Sequence, residues 1–143
     1  MGQEFDKVNA QFGHDPAQLI NWVLGLGKRE LITTNFGPVS PVLLHMVTRI
    51  RPDIPVLWID SGYATPATYQ FAEEVTGLLK LNLKVYHPLR SRAQREALDG
   101  PAPDLSDAAG HKAFTQEVKL EPFARATKEL APEVWFTALR AEA

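Results

Sequence analysis

Leu31-Ile32-Thr33-Thr34-Asn35-Phe36-Gly37-Pro38-Val39-Ser40 joins an apolar, strand-like lead-in to an amphipathic run, and its reading decides the fold. Leu31 and Ile32 lead in, while Val39, Val42, Leu43, Met46, Val47 and Ile50 lead out at helical spacing. The turn is therefore expected at a helix N-terminus, where unpaired backbone N–H groups and the positive end of the macrodipole face an anion. Gly37 is expected to let the backbone approach closely, and Pro38 suits an early helical position. Two readings stand side by side: a phosphate cradle, or an ordinary helix start capped by Thr34 or Asn35.

Outward from this turn the pattern alternates. Pro16 to Leu26 carries Leu19, Ile20, Val23 and Leu24 on one face, with Asp15 as cap and Gly27 as stop, and predicts a helix. Residues 31–34 and the near-continuous apolar run 55–59 predict strands, the second buried on both faces of a parallel sheet. Thr65-Pro66 starts a helix whose stripe is Phe71, Ala72, Val75, Leu78 and Leu79. Residues 83–86 form a third strand, Pro122 to Leu130 a helix and residues 134–137 a fourth strand.

From His87 to His111 the pattern dissolves into charge, Gly and Pro, with a short helix near residues 90–97 and an exposed, loosely ordered loop after it. Arg90, Arg92 and Arg95 read as one exposed helix face or as contacts to a phosphate. The whole is expected to be one α/β domain over residues 1–143, a mostly parallel sheet covered by helices on both faces. Ligands bind such sheets beyond the carboxyl ends of the strands. The turn at Thr33–Gly37, the loop Asp60–Tyr63, the segment His87–Arg95 and Arg140 all fall at that rim.

Composition narrows the chemistry. Net charge is −2, which speaks against a nucleic-acid partner, and no apolar run is long enough to span a membrane. The first residues lack the basic start and apolar stretch of a secretory signal, so a cytoplasmic location is expected. The 143 residues contain no cysteine, which excludes disulfides, zinc–thiolate sites, iron–sulfur clusters and thiol catalysis within them. The four histidines show no metal-ligand spacing, and no cofactor is expected. Gly25-Leu26-Gly27 lacks the third glycine of a dinucleotide fingerprint.

The ordered motifs Thr33 to His45, Pro52-Asp53-Ile54-Pro55-Val56, Asp60-Ser61-Gly62-Tyr63, Leu81 to Tyr86, Val118 to Ala126 and Trp135 to Arg140 resemble the sulfonucleotide reductases. These are the phosphoadenylyl-sulfate and adenylyl-sulfate reductases of sulfate assimilation. The resemblance implies an adenine-nucleotide α-hydrolase-like fold with a modified pyrophosphate loop. It implies that Thr33, Thr34, Asn35 and Gly37 hold phosphate or sulfate, with Phe36 and Ser40 in the same nucleotide-binding turn. Asp60, Gly62 and Tyr63 would border the adenosine, and Lys119 and Arg140 would supply positive charge. Read without the resemblance, Asp60 is a turn former, Tyr63 a packing residue, and Lys119 and Arg140 are solvated charges.

The family reaction, as the resemblance implies it, starts with a cysteine thiolate attacking the nucleotide's sulfur, after which thioredoxin or glutaredoxin releases sulfite. Phe114 and Thr115 stand where adenylyl-sulfate reductases hold paired cluster-binding cysteines. The chain is thus expected to bind an adenosine phosphosulfate or related nucleotide without reducing it alone. The alternatives are a non-catalytic interaction subunit that keeps the fold, or a truncated form of an active reductase. Expected partners are the nucleotide, a second copy of the chain or a cysteine-bearing subunit.

Overall fold

Alternating burial along two apolar strands sets the layers. In β1 (Glu30–Thr33) and β2 (Pro55–Ile59), Ile32, Val56 and Trp58 point to one face and Leu31 and Leu57 to the other, as the two-residue period of a strand requires. The computed structural model describes residues 2–138. On the first face lie α2 (Pro16–Leu24), α3 (Ser40–Ile50) and α4 (Pro66–Leu79), contributing Ile20, Leu24, Leu44, Val47, Ala72 and Val75 to the core. On the second lies α7 (Glu121–Leu130), through Phe123, Ala126 and Leu130.

The sheet is completed by β3 (Asn82–Tyr86) and β4 (Val134–Phe136), in the order β3-β2-β1-β4, and every pairing is parallel. Ile32 pairs with Val56 and Leu31 with Trp135. The first two crossovers step away from β1 on one side, and the chain then returns to add β4 on the other. The carboxyl ends of β1 and β4 therefore flank a topological switch point, where open α/β sheets form their ligand crevice.

Local signals placed most elements where the residues predict them. The Asp15 carboxylate accepts from the Gln18 N–H at 3.2 Å, and the Thr65 hydroxyl from the Thr68 N–H at 3.2 Å, capping α2 and α4. The second apolar strand is buried on both faces, as expected. Helix α2 stops at Leu24, two residues early, with Gly25 as its cap.

Three expectations require correction. The buried face of α3 is rotated: Val39 and Val42 are 64% and 63% exposed, while Ser40, Leu44, Val47 and Thr48 are buried. Leu78 likewise points to solvent from α4. After β3 the short helix expected near residues 90–97 is α5 (Arg92–Asp99), and an exposed loop follows it, but that loop ends by residue 108, where α6 (Ala108–Thr115) begins and runs through a π-helical turn (Gln116–Leu120) into α7. An N-terminal helix, α1 (Gly2–Phe12), had no sequence reading and buries only Val8.

Candidate functional site

The loop between β1 and α3 is built from side chains that accept from its own backbone. Thr34 Oγ1 accepts from the Phe36 N–H at 3.0 Å, and Asn35 Oδ1 from the Gly37 N–H at 2.9 Å. Phe36 takes the left-handed conformation, with φ of 52°, and its ring is buried edge-on against Trp58 at 5.0 Å. That burial offsets the backbone strain of a non-glycine residue at positive φ. The Phe36 side chain is therefore core and leaves only its backbone for a ligand. The strained position falls on Phe36, not Gly37; a Cβ on Gly37 would meet Asn35 Oδ1 at 3.1 Å.

Helix α3 begins at Ser40, with Val39 as its N-cap and no side-chain cap bond, so neither Thr34 nor Asn35 caps it. Pro41, in its first turn, has no N–H to satisfy. The Ser40 hydroxyl is buried, at 7% residue exposure, yet Oγ has no hydrogen-bond partner among the described residues. A buried polar atom without a partner costs free energy on the order of 1–3 kcal/mol. Such a group is conspicuous at a helix N-terminus that lacks any other cap.

Ser40 lines a cleft of about 360 Å³ at the switch point. Thr33, Thr34 and Asn35 form its β1 side, Leu43 and Leu44 its α3 side, and Thr137 and Ala138, just past β4, close it opposite. Thr33 Oγ1 accepts from the Trp135 indole N–H at 2.8 Å, a bond from β4 to β1. The acceptor positions of Thr33, Thr34 and Asn35 each receive one N–H, from Trp135, Phe36 and Gly37 respectively. What these groups still offer are the hydroxyl protons of Thr33 and Thr34 and the amide protons of Asn35. With Ser40, the wall facing the cleft is rich in neutral donors, the chemistry an anion requires at a helix start.

The predicted turn divides between two hollows. Phe36, Gly37 and Pro38 face a separate groove of about 670 Å³ against Ala67, Thr68 and Phe71 of α4, and Asn35 borders both. Gly37 is thus not a wall of the switch-point cleft.

The loop after β2 is organised around Asp60, a buried carboxylate. Its Oδ1 accepts from the Gly62 N–H at 2.9 Å and the Tyr69 hydroxyl at 2.7 Å, and Oδ2 lies 3.6 Å from His87 Nδ1. This is turn-forming use of the carboxylate, the alternative left open by its position at a strand end. Gly62 has φ of 86°, a conformation that glycine adopts without strain. The Tyr69 phenol is pushed up to about 12, by burial first and then by its bond to Asp60. Tyr63 packs edge-on against Phe114 at 5.0 Å, with the Arg92 guanidinium 4.4 Å above its ring.

The arginines near the rim are not one exposed helix face. Arg90 precedes α5 and grips Glu117 through Nε and Nη2, the latter also donating to Asp99 at 2.6 Å. Arg95 is buried, with Nε 3.4 Å from Glu117 Oε2 and its guanidinium 4.6 Å over Phe114. Arg90 holds the Glu117 carboxyl below the usual carboxylate range. The charges of Arg90 and Arg95 bind α5 and the residue before it to the π turn, whereas Arg92 is exposed and pairs with Glu96 of its own helix at 3.0 Å. Lys119, on that turn, is exposed and is not a lining residue of the cleft. Arg140 lies outside the described residues. Trp135 reaches the site through the register of β4 against β1, and Thr137 and Ala138, just past β4, reach it as walls of the cleft; no local motif marks any of the three as a site residue.

A family model described as phosphoadenosine phosphosulfate reductase domain matches residues 29–143. Phosphoadenosine 5′-phosphosulfate reductase of Synechococcus sp. is 41% identical over 136 residues, covering 94% of this chain and 59% of that one. The enzyme of the same name from Xanthomonas euvesicatoria pv. vesicatoria is 43% identical over 139 residues, 96% of this chain and 57% of that one. This chain thus spans somewhat over half the length of those relatives. The crystal structure of phosphoadenylyl-sulfate reductase from Candida auris, a phosphate complex, superposes with a TM-score of 0.84 at 24% identity, covering 98% of this chain and 68% of that one. At that identity the superposition establishes the α/β fold, and the two sequence matches and the family model carry the rest: the chain belongs to the phosphoadenosine phosphosulfate reductase domain family.

Proposed function

We propose that the switch-point cleft takes the anionic end of an adenosine phosphosulfate-type nucleotide, and that the chain is the nucleotide-binding body of a phosphoadenylyl-sulfate reductase. One observation carries the reading. The buried Ser40 Oγ, without a protein partner among the described residues, lines the cleft at an N-terminus with no side-chain cap. An oxygen of a bound phosphate or sulfate would accept its proton, together with those of Thr33 and Thr34. The name shared by the relatives supports the choice of anion.

Chemistry on that nucleotide needs a thiolate. In the proposed reaction a cysteine sulfur attacks the sulfate sulfur, adenosine 3′,5′-bisphosphate leaves, and a thioredoxin-type dithiol then reduces the enzyme thiosulfonate to release sulfite. These 143 residues contain no cysteine, so they bind and present the nucleotide while the thiol comes from outside them. Lys119 and Arg140 are assigned the supporting positive charge on the strength of the motif match alone.

Calorimetric titration tests the reading. Adenosine 3′,5′-bisphosphate should bind, adenosine monophosphate should bind more weakly, and adenosine should give no saturable heat. Replacing Lys119 with Ala should weaken bisphosphate binding and flatten its salt dependence. Equal affinity for adenosine and the bisphosphate would overturn an anion-led site.

A further inference from the structure

The loop's polar side chains are orientated locally, with one exception. Thr34 and Asn35 accept from N–H groups two residues ahead, so the loop itself sets their direction. Thr33 takes its N–H from Trp135, distant in sequence and on the neighbouring strand. The indole is fixed in turn: Trp135 pairs with Leu31 in the ladder, and its ring lies against Phe123 of α7 at 5.5 Å. From these contacts we infer that Trp135 is a positioning residue for the nucleotide site, holding the Thr33 hydroxyl so that its proton is delivered into the cleft. The inference rests on the proposed nucleotide reading.

The physical argument is one of donor and acceptor counting. A threonine hydroxyl has one proton and two lone pairs, and can turn to accept from water or to donate to an anion. An indole N–H is a donor only. Placed 2.8 Å from Oγ1, it occupies a lone pair and turns the hydroxyl's own proton away from itself. Thr33 lines the cleft, so the proton is available to an anion oxygen there. Binding then creates the chain indole N–H to hydroxyl to anion, in which each bond polarises the next. Trp135 need not touch the ligand to affect it.

The test uses the whole 143-residue chain and adenosine 3′,5′-bisphosphate, with affinity measured by calorimetry and the indole N–H resonances by NMR. Trp135→Phe keeps an aromatic ring against Phe123 and removes the donor. It should lower bisphosphate affinity about five-fold, the scale of one lost hydrogen bond. In a Thr33→Val background, the same change should cost nothing further. The wild-type Trp135 indole N–H resonance should move downfield on saturation with the bisphosphate, and this movement should vanish in Thr33→Val. This second readout requires no change at Trp135, so it holds even if Trp135→Phe fails to fold.

Wild-type affinity in Trp135→Phe, or an indole resonance unmoved at saturation, would overturn the positioning role and leave the nucleotide reading intact. An equal loss in the wild-type and Thr33→Val backgrounds would assign Trp135 to general stability and overturn it too. If wild-type protein shows no bisphosphate binding, the nucleotide reading fails first and the inference falls with it.

Discussion

The Tyr69 hydroxyl donates to Asp60 at 2.7 Å, tying the first turn of α4 to the loop that follows β2. The phenol, raised from 10.0 to about 12, stays neutral in the folded protein well above the pH at which it ionises in an unfolded chain. A raised folded value contributes stability that is complete below the unfolded value and is lost as pH climbs through the folded one. Melting temperature should therefore fall across the interval from 10.0 to about 12. Tyr69→Phe should melt lower at pH 8, by the equivalent of about 1 kcal/mol for one hydrogen bond, and show a shallower alkaline fall. Identical alkaline profiles for the two proteins would refute the assignment.

Glu117 gives a prediction in acid. Its folded value is depressed, chiefly by the hydrogen bond from Arg90, so its contribution is present above the unfolded value and lost as pH falls through the folded one. Glu117→Gln should destabilise the protein at pH 7, because Arg95 is then left buried without its carboxylate. The gap between wild type and variant should narrow as pH drops below the ordinary glutamate value of 4.5. Denaturant unfolding at a series of pH values checks it. A constant gap would show that Glu117 acts by shape alone.

Ser40→Ala separates binding from stability. The hydroxyl has no partner to lose among the described residues, so thermal stability should hold or rise slightly. Bisphosphate affinity should nonetheless fall about five-fold, for loss of a donor to the anion. Calorimetry and thermal melts on the same preparation decide the matter. A stability loss of several kelvin with unchanged affinity would mean that the hydroxyl serves the fold.

The absence of cysteine gives a prediction for activity. These 143 residues mixed with thioredoxin and adenosine 3′-phosphate 5′-phosphosulfate should release no sulfite above background. Adding a cysteine-bearing partner chain is the condition under which release should begin. Sulfite from the chain and thioredoxin alone would require a nucleophile other than a thiolate of this sequence.

What could be read from the residues beforehand was whatever a short stretch determines by itself. The run Pro55–Ile59 is too apolar for any place but a covered strand, and Asp15 and Thr65 cap the helices they precede. The buried side of α3 was not legible, because apolarity alone put Val39 and Val42 inside. Thr48 can take an interior place because its hydroxyl donates to the Leu44 carbonyl at 2.7 Å, satisfying itself on its own helix. Nor was α6 legible: none of its residues is fully buried, so it carries no core stripe, and the adjoining π turn is anchored by Glu117 to arginines more than twenty residues earlier. At the site, the Thr33 to Ser40 turn was visible as a motif. Its division between two hollows was not, because the left-handed turn at Phe36 decides which side each residue faces.

The π-helical turn between α6 and α7 works as a phase adjuster. Each residue of a regular helix advances the side-chain direction by about 100°, so a wide turn resets which way everything before it points relative to everything after. Here the reset lets Phe123 and Ala126 face the sheet while Phe114 and Glu117 face Tyr63 and the arginines. Deleting one residue within Gln116–Leu120 would make the helix more regular and the protein worse. The clasp on α5 would swing off its partners by roughly a quarter turn, and local helical quality would rise as the long-range connection was lost.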